Sequence, residues 1–193
     1  MRSLALYAHF LGMAALFAAL VVEWTAVGLV RTGNPAEPSA FATGLLRRLP
    51  RFTGIAGALI LASGISLAAQ FGVLRSAWVG VSFAAMVLMA GLGGVSLRPL
   101  IRSIGHAGNE IGALAHQASS TFLHVSFHAR IAVALAIVYL MVAKPDLPGS
   151  AAVVTFALLV GAIAGIIVSR SSVTAEPVKK DSQAVPRAME GSR

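Results

Sequence analysis

Two ionisable residues of opposite sign interrupt runs that are otherwise apolar. Glu23 lies within the apolar run 4–30, and Arg130 falls within the stretch that ends at Ala143. Ionisable groups in hydrocarbon are costly and are retained where they do something. Glu23 is about seven residues before one end of its helix, and Arg130 about eight residues after the start of a helix that runs the opposite way. At the helical rise, both sit roughly 10–12 Å below the same membrane face. The expectation is that they pair. A buried ion pair can fix helix register, or it can serve as a proton relay or ligand site. Alternatively, Glu23 faces a water cavity without Arg130.

Histidines form the second group. His9 is five residues into the first apolar run, and His9, Leu16 and Glu23 share a helix face at spacings of seven. A histidine so placed is either an interfacial, hydrogen-bonded residue or a ligand to haem or metal. His124 and His128 are four apart, a spacing that puts two ligands on one helix face. His106, Glu110 and His116 are near in sequence and are candidates to share such a site. His9 lies at the opposite membrane face from His124 and His128, so one haem joining them is disfavoured. There is no glycine-rich phosphate loop, G-x-S-x-G, HExxH or paired carboxylate. Cysteine is absent, which excludes disulfides and thiolate chemistry.

These residues have to be positioned by elements that lie in lipid. Hydrophobic residues make up 57% of the 193 positions and charged residues 11%. A soluble domain needs about 25% charged residues to cover a water-facing surface. Five spans are expected, at about 4–30, 52–73, 78–97, 122–143 and 151–168. The first is longer than the roughly 7–15-residue apolar core of a cleaved signal peptide, so it reads as a retained helix. The fourth is clean only from Ile131 to Ala143, about 20 Å of helix and too short to span. It is therefore expected to start near Phe122 and to draw His124, His128 and Arg130 inside. Gly72 and Arg75 mark a tight hairpin between the second and third spans, and Lys144 to Gly149 a turn before the fifth. Residues 31–51 read as a long connection ending in the basic cluster Arg47, Arg48 and Arg51. In 98–121, Leu97, Ile101, Ile104, Ile111, Leu114 and Phe122 recur at helical spacing. That pattern predicts either an interfacial helix or an extension of the third span. Residues 171–193 are polar and read as a disordered cytoplasmic tail beyond a bundle over 1–170.

Charge orients the bundle. Arg31, Arg47, Arg48, Arg51, Arg98, Arg102, Arg170, Lys179, Lys180, Arg187 and Arg193 fall on one side, against Arg2, Arg75 and Lys144 on the other. Basic loops stay cytoplasmic, which places the N-terminus outside and the C-terminus inside. The net charge of +8 is thus an orienting charge rather than a nucleic-acid footprint, and no nucleic-acid partner is expected. Ala157, Gly161, Gly165 and Ser169 step by four along the fifth span. Such a row lets backbones approach closely, either within one bundle or between copies in a homo-oligomer.

The stretch from Arg130 through Val138-Tyr139-Leu140-Met141-Val142-Ala143-Lys144-Pro145-Asp146 to Gly149-Ser150 resembles a family of small bacterial integral-membrane proteins of unknown function. In that family an arginine opens the fourth apolar segment, which ends in a Met-x-x-Lys-Pro turn. Leu6-Tyr7-Ala8-His9-Phe10-Leu11-Gly12 is similar to its opening helix. Opening histidines of this kind also occur in copper-resistance permeases and protoporphyrinogen oxidases of the membrane, families linked to haem or metal. The usual Trp-Gly pair after that histidine is replaced here by Met13-Ala14-Ala15. The resemblance implies a bacterial plasma membrane, and the excess of arginine over lysine (12 to 3) fits a GC-rich genome. The functional expectation is a non-enzymatic multi-pass protein, a small transport or accessory subunit, with no cofactor expected. A haem b or metal-binding redox protein using His9 or His124 and His128 is the alternative. A scaffold assembling through Gly161 and Gly165 is a third.

Overall fold

A computed structural model describes residues 2–32, 40–105 and 118–173. They form five long helices: α1 (Arg2–Thr32), α2 (Ala40–Gln70), α3 (Ala77–Gly105), α4 (Thr121–Ala143) and α5 (Leu147–Val173). Each is long and apolar enough to cross a bilayer. Many large apolar side chains point away from the bundle, among them Phe10, Ile55, Val87, Leu135, Phe156 and Ile163. Outward-facing surface of that kind is stable only in lipid, so the chain is a multi-pass membrane protein.

α4 is the central helix. Half of its apolar window is buried within the bundle, against 17% for α5. It packs along α5 and α3 and touches α1, while α1 pairs mainly with α2. This position explains how a span that carries His124, His128 and Arg130 can be a membrane helix. His124, Ser126 and Arg130 face other helices rather than lipid. Ser126 Oγ donates to Leu92 O at 3.1 Å and meets Ser96 Oγ at 3.0 Å, which ties α4 to α3 without exposing a polar group to hydrocarbon.

Several helix limits differ from the expected spans. α2 begins at Ala40, three turns before Phe52, and runs through Pro50. Charge at Arg47, Arg48 and Arg51 disguised an apolar face there, on which Ala42, Leu46 and Leu49 are buried against Val27, Val30, Leu97 and Leu100. Arg47 is thus a helical residue, and its Nη2 donates to Ile104 O at 2.9 Å, satisfying a carbonyl at the end of α3. Residues 98–105 extend α3, with Leu100 and Ile104 buried. The rest of the proposed interfacial segment, 106–117, lies outside the described residues, as does 174–193, the bulk of the expected tail.

The two sharp turns follow from local chemistry. Gly72 has φ 68°, and Val73 N donates to Ala68 O at 2.9 Å, closing α2 with a left-handed residue. Lys144 takes the same role after α4 at φ 48°, its N–H donating to Leu140 O. α5 then starts at Leu147, four residues before the expected position. Asp146 Oδ1 accepts from Gly149 N at 3.0 Å and acts as the cap, so the Pro-rich turn supplies the first turn of α5.

Candidate functional site

Glu23 and Arg130 meet. Arg130 Nη1 donates to Glu23 Oε2 at 2.9 Å, and Nη2 donates to Glu23 Oε1, a bidentate pair. The geometry comes from register, since each residue is nine positions from its helix end on the basic face: Thr32 for α1 and Thr121 for α4. Both side chains are almost fully buried, at 2% and 4% exposure. α3 completes the site at Gly93, where a Cβ would fall 2.9 Å from Arg130 Nη1. Gly93 leaves the space beside the guanidinium open. It is the recess in which the guanidinium lies.

Aromatic rings close the site on the basic side. Trp24 stacks on Phe127 at 4.7 Å between centroids and meets His124 and His128 edge-on at 5.6 and 5.3 Å. Phe127 also lies under Arg130, 5.8 Å from ring centroid to guanidinium carbon. The open space among Glu23, Trp24, Val27, Leu123, His124 and Phe127 is about 10 Å³, at the lower limit for one water. The pair is a sealed clamp of α1, α3 and α4.

His124 is satisfied by helix and bundle. His124 Nδ1 donates to Ser120 O at 3.1 Å, which leaves Nε2 to accept from Arg31 Nη1 at 3.2 Å. No lone pair on His124 is then left for a metal. His128 Nδ1 donates to His124 O at 2.8 Å. Among the described residues no three of His, Cys, Asp and Glu gather into a metal-binding group. His106, Glu110 and His116 lie outside the described residues.

Gly161 and Gly165 are covered by α4. A Cβ on Gly161 would fall 2.5 Å from Ala129 Cα, and one on Gly165 would lie 2.7 Å from Val125 N. Of the two expected uses of this row, the structure takes packing within the bundle. α4 occupies that face at both glycines.

At the other end of the bundle the helices leave space. A cavity of about 520 Å³ opens among the start of α1, the end of α2, the start of α3 and the end of α4. Its walls are almost wholly apolar, with Met13, Ile60, Met86 and Ile137 deep and Phe71, Trp78 and Lys144 near the helix ends. His9 and Ser82 are its buried polar residues, both at 8% exposure; the His9 ring is the larger of the two. Its Nδ1 lies 3.2 Å from both Ile60 O and Ser63 Oγ. A carbonyl only accepts, so Nδ1 carries the proton and Nε2 presents a lone pair. Gly64 permits this seating, since a Cβ there would come 3.3 Å from His9 Cε1. Sequence spacing located His9 but not the cavity, which is lined from four helix ends that lie far apart in sequence.

Comparison of the chain with models of protein families, with curated proteins and with solved structures finds no match in any of the three.

Proposed function

We propose that the protein is a non-catalytic transport or accessory subunit of a bacterial plasma membrane that takes up a lipid-soluble molecule in the cavity beside His9. The observation that carries this reading is the 520 Å³ apolar space at the charge-poor end of the bundle. Ligand sites are concave, mostly apolar and furnished with few polar groups, and their volumes run from about 300 to 1,000 Å³. By the distribution of arginine and lysine, that end faces outward. The Glu23–Arg130 pair contributes by fixing the helices that wall the cavity. Its enclosure gives it no access to a transported ion or substrate.

The test is native mass spectrometry of the full chain released from lipid, comparing wild type with Ala68→Phe and Ser82→Phe, which fill the cavity. Wild type is expected to carry a small apolar adduct that both variants lose while keeping their helical content. Equal adducts on all three proteins would refute the reading.

A second reading has one specific support. An imidazole whose Nδ1–H is held by a backbone carbonyl, with Nε2 open, is how many metal- and haem-ligating histidines are oriented. Met13, Met86 and Met141 line the same cavity and would supply thioethers. A near-stoichiometric Soret band in purified protein, lost in His9→Asn, would establish that reading over the first.

A further inference from the structure

We infer that the cavity ligand is a lipid-soluble alcohol or phenol, bound through a hydrogen bond from its hydroxyl to His9 Nε2. This rests on the cavity being a ligand site and adds what the site selects.

Ile60 O can only accept, so the ring proton of His9 is on Nδ1 and Nε2 is an acceptor. Nε2 has no hydrogen-bond partner among the described residues, and it is not sealed in the protein either, because the one buried side-chain nitrogen or oxygen left unpaired among those residues is Arg130 Nε. His9 lines the cavity, so a ligand held there lies beside its ring. The nearby hydroxyls are committed elsewhere. Ser63 Oγ lies 2.5 Å from Leu59 O, and Ser82 Oγ donates to Trp78 O at 2.8 Å. An unpaired acceptor facing an apolar space favours a ligand that brings a donor, and it disfavours one that brings only another acceptor.

Shape narrows the class further. His9 is seven residues from the start of α1, about 10 Å along the helix. Met13, Met86 and Ile137 lie deeper, so an apolar chain or ring extends inward while the hydroxyl stops at His9. Ketones and ethers of the same size lack the donor. A carboxylate would instead be read by Lys144 near the helix ends.

The experiment uses the full chain in nanodiscs of zwitterionic phospholipid. A diazirine-bearing twelve-carbon alcohol is the label, displaced by 1-dodecanol, dodecane or dodecanoate. 1-Dodecanol should displace it at about a tenfold lower mole fraction than dodecane, the value of one good hydrogen bond in an apolar site. His9→Asn keeps a donor near Nδ1 for Ile60 O but removes Nε2, and should bring the two within twofold. His9→Gln places an amide near Nε2 and should retain the preference. Thermal unfolding of both variants separates loss of the site from loss of the fold. Equal displacement by alcohol and alkane in wild type would overturn this inference and leave the cavity as an apolar site. A preference for dodecanoate that Lys144→Gln abolishes would also overturn it. Failure of every probe, including the label, would overturn the cavity reading itself.

Discussion

Removing one member of the Glu23–Arg130 pair leaves the other charge buried without a partner. Arg130→Met strips Glu23 of both guanidinium donors in a site with 2% exposure. Breaking a buried pair from one side costs about 3–5 kcal/mol. For a chain of this size that corresponds to a fall in Tm on the order of 10 °C. Glu23→Gln costs a similar amount, because an amide N–H is turned toward a guanidinium that has only donors to offer. The double variant Glu23→Gln with Arg130→Met removes both charges and leaves only a neutral amide unpaired, a smaller cost than a lone buried charge. It should therefore unfold within about 2 kcal/mol of wild type, a coupling energy of roughly 3 kcal/mol or more. Exchanging the charges, Glu23→Arg with Arg130→Glu, recovers only part of the loss. The guanidinium would then arrive from α1 and miss the recess at Gly93. The assay is thermal unfolding in detergent, followed by the fluorescence of Trp24, which is stacked on Phe127 beside the pair. Additive single effects in the double variant, or silent single variants, would refute the reasoning.

Other consequences concern the helices around the pair. Gly93→Ala places a methyl against Arg130 Nη1 and should destabilise by about 1–3 kcal/mol, measured as the same Tm shift. That loss should be largely absent in the Arg130→Met background. Gly161→Leu and Gly165→Leu drive side chains into the α4 backbone, so they should abolish folding of the bundle rather than dissociate an oligomer. Size-exclusion chromatography with circular dichroism distinguishes those outcomes. The chain has no cysteine, so single cysteines at Ser76 and Ala40 report topology directly. A membrane-impermeant maleimide added to intact cells should label the first and spare the second.

Much of this architecture was legible in the sequence because hydrocarbon imposes so few solutions. Apolar length fixed the number of helices, and the shortness of the clean run 131–143 forced Arg130 into α4. Depth arithmetic on two antiparallel helices was then enough to bring Glu23 and Arg130 together. The start of α2 was hidden because Arg47, Arg48 and Arg51 break the hydropathy of a segment whose opposite face is buried. Gly93 could not be singled out from Gly91 and Gly94, since only the crossing of α3 and α4 decides which glycine faces the guanidinium. The cavity was not legible at all. It is lined from four helix ends, a juxtaposition that no single segment encodes, and His9 gained its meaning only from the residues that share that space.

The most direct test of the account is to map where a lipid-soluble photolabel attaches. The diazirine alcohol, irradiated in nanodiscs containing the full chain, should modify peptides covering 6–13, 78–86 and 137–144, and excess unlabelled 1-dodecanol should suppress that modification. Non-saturable labelling spread over lipid-facing residues such as Phe156 and Ile163, with none on the cavity peptides, would contradict it.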